Sequence, residues 1–259
     1  ADASRYHGKA PDEIDWTEPK RQTRAVEEFL SGLDDDDPDA ERKIPKVISP
    51  TDPCSAWTAK ANKRVQFGYG LNYLIDIENA VIVDVEATTA IRQAEVLAAK
   101  RMVERSLDCF GLYPAKLIGD TAYGSAEMLN WLVHEQGIEP HVPVFDKSQR
   151  SDGTFSRDDF TYDHKRDCYI CPAGKELRQR QKIYRVPRPL VDEDGMMRYR
   201  ASKLDCQECS LKPRCCPNAT ARKIPRSIHE GARDMAREIA KTEAYGISRC
   251  QRKKVEMLF

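Results

Sequence analysis

The stretch Lys116-Leu117-Ile118-Gly119-Asp120-Thr121-Ala122-Tyr123-Gly124-Ser125 decides how this chain is expected to fold. The short apolar run of Leu117 and Ile118 ends at Asp120, and Ser125 then opens a segment whose apolar residues recur at helical spacing. This pattern predicts a strand, an acid, a turn and a helix. A carboxylate at the end of a central strand stands at the rim of a sheet, where it can hold a metal ion against a substrate phosphate. Because an Asp after a strand also commonly caps a helix or turn, the stretch by itself leaves both roles open.

Length and composition narrow the class of protein. With 259 residues, of which 40% are hydrophobic, the chain can bury a substantial core, either as one domain with an insertion or as two small domains. It has neither an apolar run long enough to span a bilayer nor a basic-then-apolar export signal, so we expect no membrane association and a cytoplasmic location. Its 42 basic residues balance 42 acidic ones, so a surface for nucleic acid would have to be local.

The ends of the chain and its first quarter have little regular pattern. The chain begins at Ala1 without Met and stops at Phe259 after an apolar, helix-like segment, so we interpret it as a fragment of a longer protein. Residues 1–64 are polar and interrupted by prolines, apart from a short helical pattern near Arg24 to Leu33. They are expected to form a connecting segment, with the acidic run Asp34 to Asp37 in a solvated loop.

Residues 65–150 are expected to form the first part of an α/β core. Aromatic and β-branched residues from Gln66 to Val85 bracket a polar turn, which predicts a hairpin of two antiparallel strands. A helical stripe follows between Thr89 and Gly111, then the strand that ends at Asp120, a second helix, and a short strand over Pro140 to Phe145. The order β-β-α-β-α-β implies a mixed sheet with helices packed on it.

Residues 151–218 form a predicted Cys-rich insertion, with cysteines at Cys168, Cys171, Cys206, Cys209, Cys215 and Cys216. Two Cys-x2-Cys pairs match the spacing of a zinc ribbon, in which each pair supplies one edge of a tetrahedron of thiolates. Disulfides, which a reducing compartment disfavours, and unliganded thiols are the competing interpretations. There are more sulfurs than one tetrahedral site takes, so spacing leaves the choice of four open. The remaining cysteines are expected to pack as small apolar residues; they are Cys54, Cys109 and Cys250.

Residues 219–259 are expected to be helices that complete the core, with one break at Tyr245-Gly246. On the last helix the spacing i, i+3, i+4, i+7 places four residues on one face, so that one acid lies beside three bases. They are Arg249, Arg252, Lys253 and Glu256. A solvated helix laced with salt bridges would show the same pattern.

Taken together, these segments resemble a bacterial insertion-sequence transposase of the DDE class over nearly the whole chain. The resemblance lies in the hairpin, in the strand-acid block with its Asp-x-x-Tyr-Gly-Ser, in Tyr169-Ile170-Cys171-Pro172-Ala173-Gly174, and in the closing Arg-x3-Glu. It implies an RNase H-like mixed sheet flanked by helices, with a zinc-binding Cys-rich insertion before a Glu-bearing helix. Two Asp and one Glu would bind two Mg²⁺ (or Mn²⁺) ions. The implied partners are transposon ends and target DNA, and the full-length protein would be a homodimer associated with the bacterial nucleoid.

The resemblance also assigns residues in the closing helix and at the metal site. Asp120 matches the second catalytic Asp, Glu256 the catalytic Glu, and Arg252 the Arg that precedes it. The resemblance expects a Tyr where Arg249 stands, and it expects a Lys beyond the Glu that would lie after Phe259. DNA contacts are implied for Arg249, Lys253 and Lys254.

The first catalytic Asp is expected in a strand just upstream of Ala1-Asp2-Ala3-Ser4, and we interpret it as cut off. The possible substitutes lack the expected context; they are Asp2, Asp52, Asp76 and Asp84. For the structural zinc ion, the resemblance selects Cys171, Cys206, Cys209 and Cys215 and makes Cys168 an extra.

The implied chemistry is metal-dependent DNA cleavage and strand transfer. Both reactions are in-line displacements, in which two hard cations about 3.5 to 4 Å apart stabilise the attacking and leaving oxygens, and carboxylates are the ligands that Mg²⁺ accepts. Without its first Asp the fragment is expected to be inactive alone. A non-enzymatic zinc-containing module that binds DNA or protein on a degenerate transposase scaffold is the alternative, and a hydrolytic nuclease of the same fold is a third possibility.

Overall fold

The chain separates into two compact units, residues 1–114 and residues 115–259. A computed structural model describes residues 7–34, 45–59, 64–146, 148–179 and 189–257. Among these residues no helix is long and apolar enough to cross a bilayer.

The first unit is built on an antiparallel sheet and two helices. In chain order its elements are α1 (Arg24–Asp34), β1 (Ala56–Thr58), β2 (Gln66–Asp76), β3 (Val81–Thr89) and α2 (Arg92–Phe110). The strands lie in the order β1-β2-β3, and the predicted hairpin and the helix after it are both confirmed. The hairpin turn forms because Asp76 Oδ1 accepts the amide hydrogens of Glu78 and Asn79.

Charge pairs join α2 to the hairpin. Arg105 donates to Asp84 at 2.8 Å and to Glu86 at 3.2 Å, and Arg101 also pairs with Glu86. The helix ends at Gly111, whose φ of +64° is the left-handed conformation that glycine adopts without strain.

The described part of residues 1–64 is more ordered than the connecting segment expected there. Ile14, Val26 and Ile48 are buried, and the backbones of Lys9 and Ile48 form a β-bridge. Apolar residues without a regular spacing therefore supply core contacts. The periodicity of the sequence does not predict these contacts, because they join residues far apart in the chain. Most of the acidic run, Asp35 to Asp37, lies outside the described residues.

The second unit contains a parallel strand pair with helices around it. The pair is β4 (Lys116–Ile118) and β5 (Glu139–His141), connected through α3 (Ala126–Asn130) and a π-helical turn, and α6 (Glu230–Ile239) and α7 (Glu243–Glu256) follow later. The predicted strand, turn and helix are confirmed, and Ser125 caps α3 by accepting the Met128 amide hydrogen. β5 ends at His141, earlier than the expected Phe145. The chain there crosses over Gly124, where an added Cβ would lie 2.0 Å from the Pro143 carbonyl oxygen.

The Cys-rich segment folds as an antiparallel sheet. Its strands are β6 (Thr161–Asp163), β7 (Cys168–Ile170), β8 (Glu176–Gln179), β9 (Met196–Ala201) and β10 (Lys223–Ser227), with α4 (Lys203–Gln207) and α5 (Lys212–Cys215) between the last two. A core of Tyr169, Leu177, Tyr199 and Ile224 holds the sheet together. Because every residue of β10 pairs with β9, the inserted sheet extends to residue 227 and not to the expected residue 218.

The helical break also differs from the prediction. It lies between α6 and α7, where Thr242 caps α7 by accepting the Tyr245 amide hydrogen at 3.2 Å, and Gly246 lies inside the helix. A side-chain cap therefore outweighs the weak helix preference of glycine.

The overall class is mixed α/β, as predicted. Within the described ranges, however, the strands form three separate sheets. One continuous mixed sheet was expected and is not formed by these residues.

Buried charges connect the inserted sheet to α6. Glu230, which is 1% exposed, pairs with Arg157 at 2.8 Å, Arg233 at 3.0 Å and Arg237 at 2.9 Å. Asp146 pairs with the same three arginines. Each charge of the cluster thus has a partner of opposite sign, which a buried charge requires.

Acid should weaken this charge cluster. Burial alone raises the pKa of Asp146, but the Ser148 amide and the charges of Arg157 and Arg233 lower it to about 2. Because this pKa lies below the ordinary 3.8, Asp146 stabilises the fold above that pH, and the contribution is lost as the pH falls toward 2.

We expect Asp146→Asn to lower the free energy of unfolding at pH 7 by about 2 kcal/mol and to flatten its decline below pH 4. Urea unfolding at several pH values measures this; an unchanged acid profile would contradict it.

Candidate functional site

Asp120 stands just beyond the end of β4 with an exposed carboxylate. Its Oδ1 accepts the Ala122 amide hydrogen at 2.6 Å and so caps the short 3-10 turn Thr121–Tyr123. The capping role that the sequence left open is therefore real. It does not remove the carboxylate from solvent, so Asp120 can still supply an oxygen ligand.

Arg252 connects the Glu256 helix to the backbone beside Asp120. Its Nη1 donates to the Gly119 carbonyl oxygen at 2.7 Å, and its Nε lies 3.0 Å from Glu256 Oε1. The second contact is an ion pair and not a well-aligned hydrogen bond, because Nε has no partner with suitable angles. One side chain thus contacts both Glu256 on α7 and the backbone at the end of β4.

A second contact docks α7 on β5. His141 Nδ1 and Ser248 Oγ share a hydrogen bond of 2.7 Å, and both residues are buried. His141 Nε2 lies 3.2 Å from Glu139 Oε1. In a neutral ring that faces an ionised carboxylate, Nε2 carries the proton and Nδ1 accepts the Ser248 hydroxyl hydrogen. Neither residue was singled out from the sequence, where an isolated His and an isolated Ser carry no recognisable signal.

A pocket of about 210 Å³ opens beside these contacts. It is lined by Ile118, Gly119, His141, Pro143, Tyr245, Arg249 and Arg252. Two guanidinium groups and a phenol ring line it, and one of the guanidinium groups, that of Arg252, is engaged with Gly119 and Glu256. The structure places Tyr245 one turn before Arg249 on the same helix, so a tyrosine does line this pocket.

Three basic side chains between the middle and the end of α7 are available to a ligand. Arg249, Lys253 and Lys254 are exposed, and none of them forms an ion pair with another residue in the described part of the chain. Their charge is therefore uncompensated locally, unlike that of Arg252.

The candidates for a further catalytic carboxylate are occupied elsewhere or outside the described residues. Asp52 accepts the Tyr69 hydroxyl hydrogen at 2.8 Å, Asp76 closes the hairpin turn, and Asp84 pairs with Arg105. Asp2 lies outside the described part of the chain. Each described candidate thus has a local structural role in the first unit.

The inserted sheet gathers thiols around a second, small pocket. In the described part of the chain it is lined by Cys171, Cys206, Cys209, Cys215 and Cys216, together with Lys175, Lys212 and Arg222. Cys168 is fully buried and does not line this pocket, since strand alternation points it away from the face of Tyr169 and Cys171. The four thiols that the resemblance selects are therefore neighbours. Cys54, Cys109 and Cys250 are exposed, so the expectation that they pack as apolar residues is wrong.

One contact near the thiols favours the thiolate form that binds metal, whereas burial of another thiol opposes it. The Lys175 amide donates to Cys171 Sγ at 3.3 Å, a bond that stabilises a thiolate. Burial and the neighbouring Cys216 raise the pKa of Cys215 to about 12, so that thiol is protonated in the structure as it stands. Across the described ranges no three His, Cys, Asp or Glu side chains are arranged to hold one metal ion. The thiols are neighbours, but the described residues are not arranged as a metal site.

Comparison with known proteins identifies the family. A family model described as a transposase DDE domain matches residues 41–256, which is most of the chain and includes both Asp120 and Glu256. Neither a curated protein nor a solved structure matches the chain. This protein therefore belongs to the transposase DDE domain family.

Proposed function

We propose that this chain is the catalytic domain of a bacterial insertion-sequence transposase, which cleaves DNA and joins the transposon ends to target DNA. The observation that carries the proposal is the pair of Arg252 contacts, to Glu256 and to the backbone beside Asp120. Family membership supplies the reaction class, polynucleotidyl transfer. We further propose a cytoplasmic location at the nucleoid and a homodimer as the active assembly.

Asp120 and Glu256 are the proposed ligands of Mg²⁺ or Mn²⁺. Both carboxylates are exposed and offer hard oxygen donors, which suit a cation that keeps several of its waters. When bound, the metal ions would supply Lewis-acid stabilisation of the attacking and leaving oxygens. Arg252 holds Glu256 in place through their ion pair.

We expect this chain alone to bind Mn²⁺ without cutting or joining DNA. Two carboxylates can hold a cation, but a pair of ions needs a third acid, and Asp76 and Asp84 are engaged in the first unit. Supercoiled plasmid nicking in Mg²⁺ or Mn²⁺ tests catalysis, and the electron paramagnetic resonance signal of free Mn²⁺ tests binding. Asp120→Ala should abolish Mn²⁺ binding, whereas Glu127→Ala, which removes an exposed acid from α3, should not.

Metal-dependent nicking that disappears in Asp120→Ala would show that an acid within this chain completes the site. Mn²⁺ binding that survives both Asp120→Ala and Glu256→Ala would remove the proposed metal site altogether.

Arg249, Lys253 and Lys254 are the proposed contacts to DNA phosphates. We expect the combined substitution of all three by Gln to weaken DNA binding and to lower the slope of log affinity against log salt by about 0.9 for each phosphate that is no longer neutralised. Fluorescence anisotropy with a labelled duplex measures both quantities. Lys241→Gln is the matched control, because Lys241 is exposed but pairs with Glu238 at 2.7 Å. An equal loss in both variants would indicate a nonspecific charge effect.

The inserted sheet is the proposed zinc domain. Support comes from thiols on three separate segments that line one pocket and from the amide that donates to Cys171 Sγ. Lys175, Lys212 and Arg222 would offset the net negative charge of a four-thiolate site. The resemblance selects Cys171, Cys206, Cys209 and Cys215, which leaves Cys216 as a fifth thiol.

We expect one zinc ion per chain after purification without chelator, because tetrahedral Zn²⁺ takes four thiolates and lowers their pKa on binding. Elemental analysis should show that Cys206→Ser loses the metal and that the buried Cys168→Ser keeps it. Loss in both variants would indicate general unfolding of the sheet, which circular dichroism would detect. A zinc-free chain with reactive thiols would contradict the proposal.

The alternative function, a non-enzymatic module that binds DNA or protein, is favoured by the basic residues around the thiols. The two proposals differ in the residues that DNA binding would require. DNA binding by such a module would be unaffected by Asp120→Ala and abolished when Cys206 and Cys209 are replaced.

A further inference from the structure

α7 meets the parallel strand pair at two polar contacts one helical turn apart. Ser248 bonds His141 in β5, and Arg252 bonds the Gly119 carbonyl at the end of β4, each at 2.7 Å. The two strand positions lie side by side, because the Gly119 amide donates to the His141 carbonyl oxygen. The helix is therefore held at two neighbouring points of the same strand edge.

Two such points determine both the rotation and the axial position of a helix. A slip of one residue would turn α7 by about 100° and move it about 1.5 Å, which would displace Glu256 relative to the end of β4. Arg252 alone cannot prevent a slip, since a long flexible side chain can follow a moving helix. The Ser248 side chain is short and 1% exposed, so its bond to His141 tolerates little displacement.

The environment of His141 accounts for the strength of this contact. The ring is 3% exposed and lies about 6.0 Å from the Tyr245 ring, with Arg249 and Arg252 on the same pocket. Glu139 orients the ring by accepting the hydrogen on Nε2. A hydroxyl group or ring nitrogen left without a hydrogen-bond partner in this buried position would reduce the stability of the fold. The hydrogen bond between His141 and Ser248 is therefore maintained.

We propose that His141 is a positioning residue, which sets the register of the Glu256 helix through Ser248 and thereby aligns Glu256 with Asp120. This inference rests on the proposed function, because its consequence is measured at the proposed metal site. His141 itself touches neither carboxylate.

Two amide substitutions separate this role from general packing. In His141→Asn the side-chain oxygen can stand where Nδ1 stood and accept the Ser248 hydroxyl hydrogen. In His141→Gln the amide lies near the former Nε2, so the hydrogen bond to Ser248 is broken. Ser248→Ala removes the same bond from the helix side with little change in volume.

The experiment measures hydrogen exchange of the α7 amides by mass spectrometry and Mn²⁺ affinity by electron paramagnetic resonance. We expect His141→Gln and Ser248→Ala each to speed α7 exchange and to weaken Mn²⁺ binding by about tenfold. His141→Asn should stay within about threefold of the wild type, since it keeps the bond. The double variant of His141→Gln with Ser248→Ala should be no worse than either single variant, because the same bond is removed in both.

The possible outcomes are distinguishable. Equal losses in His141→Asn and His141→Gln would overturn the inference, as would faster exchange with unchanged Mn²⁺ affinity, which would leave His141 with a purely structural role. If the wild type binds no Mn²⁺, the proposed metal site is wrong, and the exchange of α7 in the His141→Gln and His141→Asn variants still decides whether the bond sets the helix register.

Discussion

The hydrogen bond from Arg252 to the Gly119 carbonyl is the contact on which the candidate site depends. It joins residues 133 positions apart and brings the last described helix to the end of a strand near the middle of the chain. The Gly119 carbonyl lies beyond the end of β4 and accepts its hydrogen bond from the Arg252 guanidinium group and not from a neighbouring strand. The same guanidinium group has a second nitrogen that pairs with Glu256. The buried Ser248–His141 bond supports the same docking one turn earlier. Together the two bonds turn a surface helix into one wall of a pocket.

The inserted sheet is tied to this arrangement by charge. Asp146 leaves the β5 region, Glu230 begins α6, and Arg157 belongs to the segment that leads into the inserted sheet. A cluster of this kind favours one relative geometry of its members, because a member moved away from all of its partners would be a buried unpaired charge. The Cys-rich sheet is thus attached to the helices that precede Glu256.

Several elements could be predicted from local sequence. The hairpin followed from alternating aromatic and β-branched residues around Asp76, and α3 followed from the Ser125 cap, because both signals act over a few residues. The end of β5, the pairing of β10 and the break before Thr242 were missed. In each case a contact that the local pattern does not show decided the outcome. The chain after β5 packs on Gly124 through Pro143, and β10 pairs with β9. The Thr242 cap starts α7 before Gly246, so the glycine does not break the helix.

The sequence by itself determined the order β-β-α-β-α-β of the first elements, the strand-acid-turn-helix around Asp120 and the helix face that carries Arg252 and Glu256. These depend on periodicity and capping, which are properties of neighbouring residues. Only the tertiary structure decided that Asp120 also caps a turn, that Cys216 lines the same pocket as the four selected thiols, and that His141 meets Ser248 across 107 residues. Such contacts arise from packing between elements far apart in the chain, and a buried polar pair has no local pattern because each partner is satisfied only by the other.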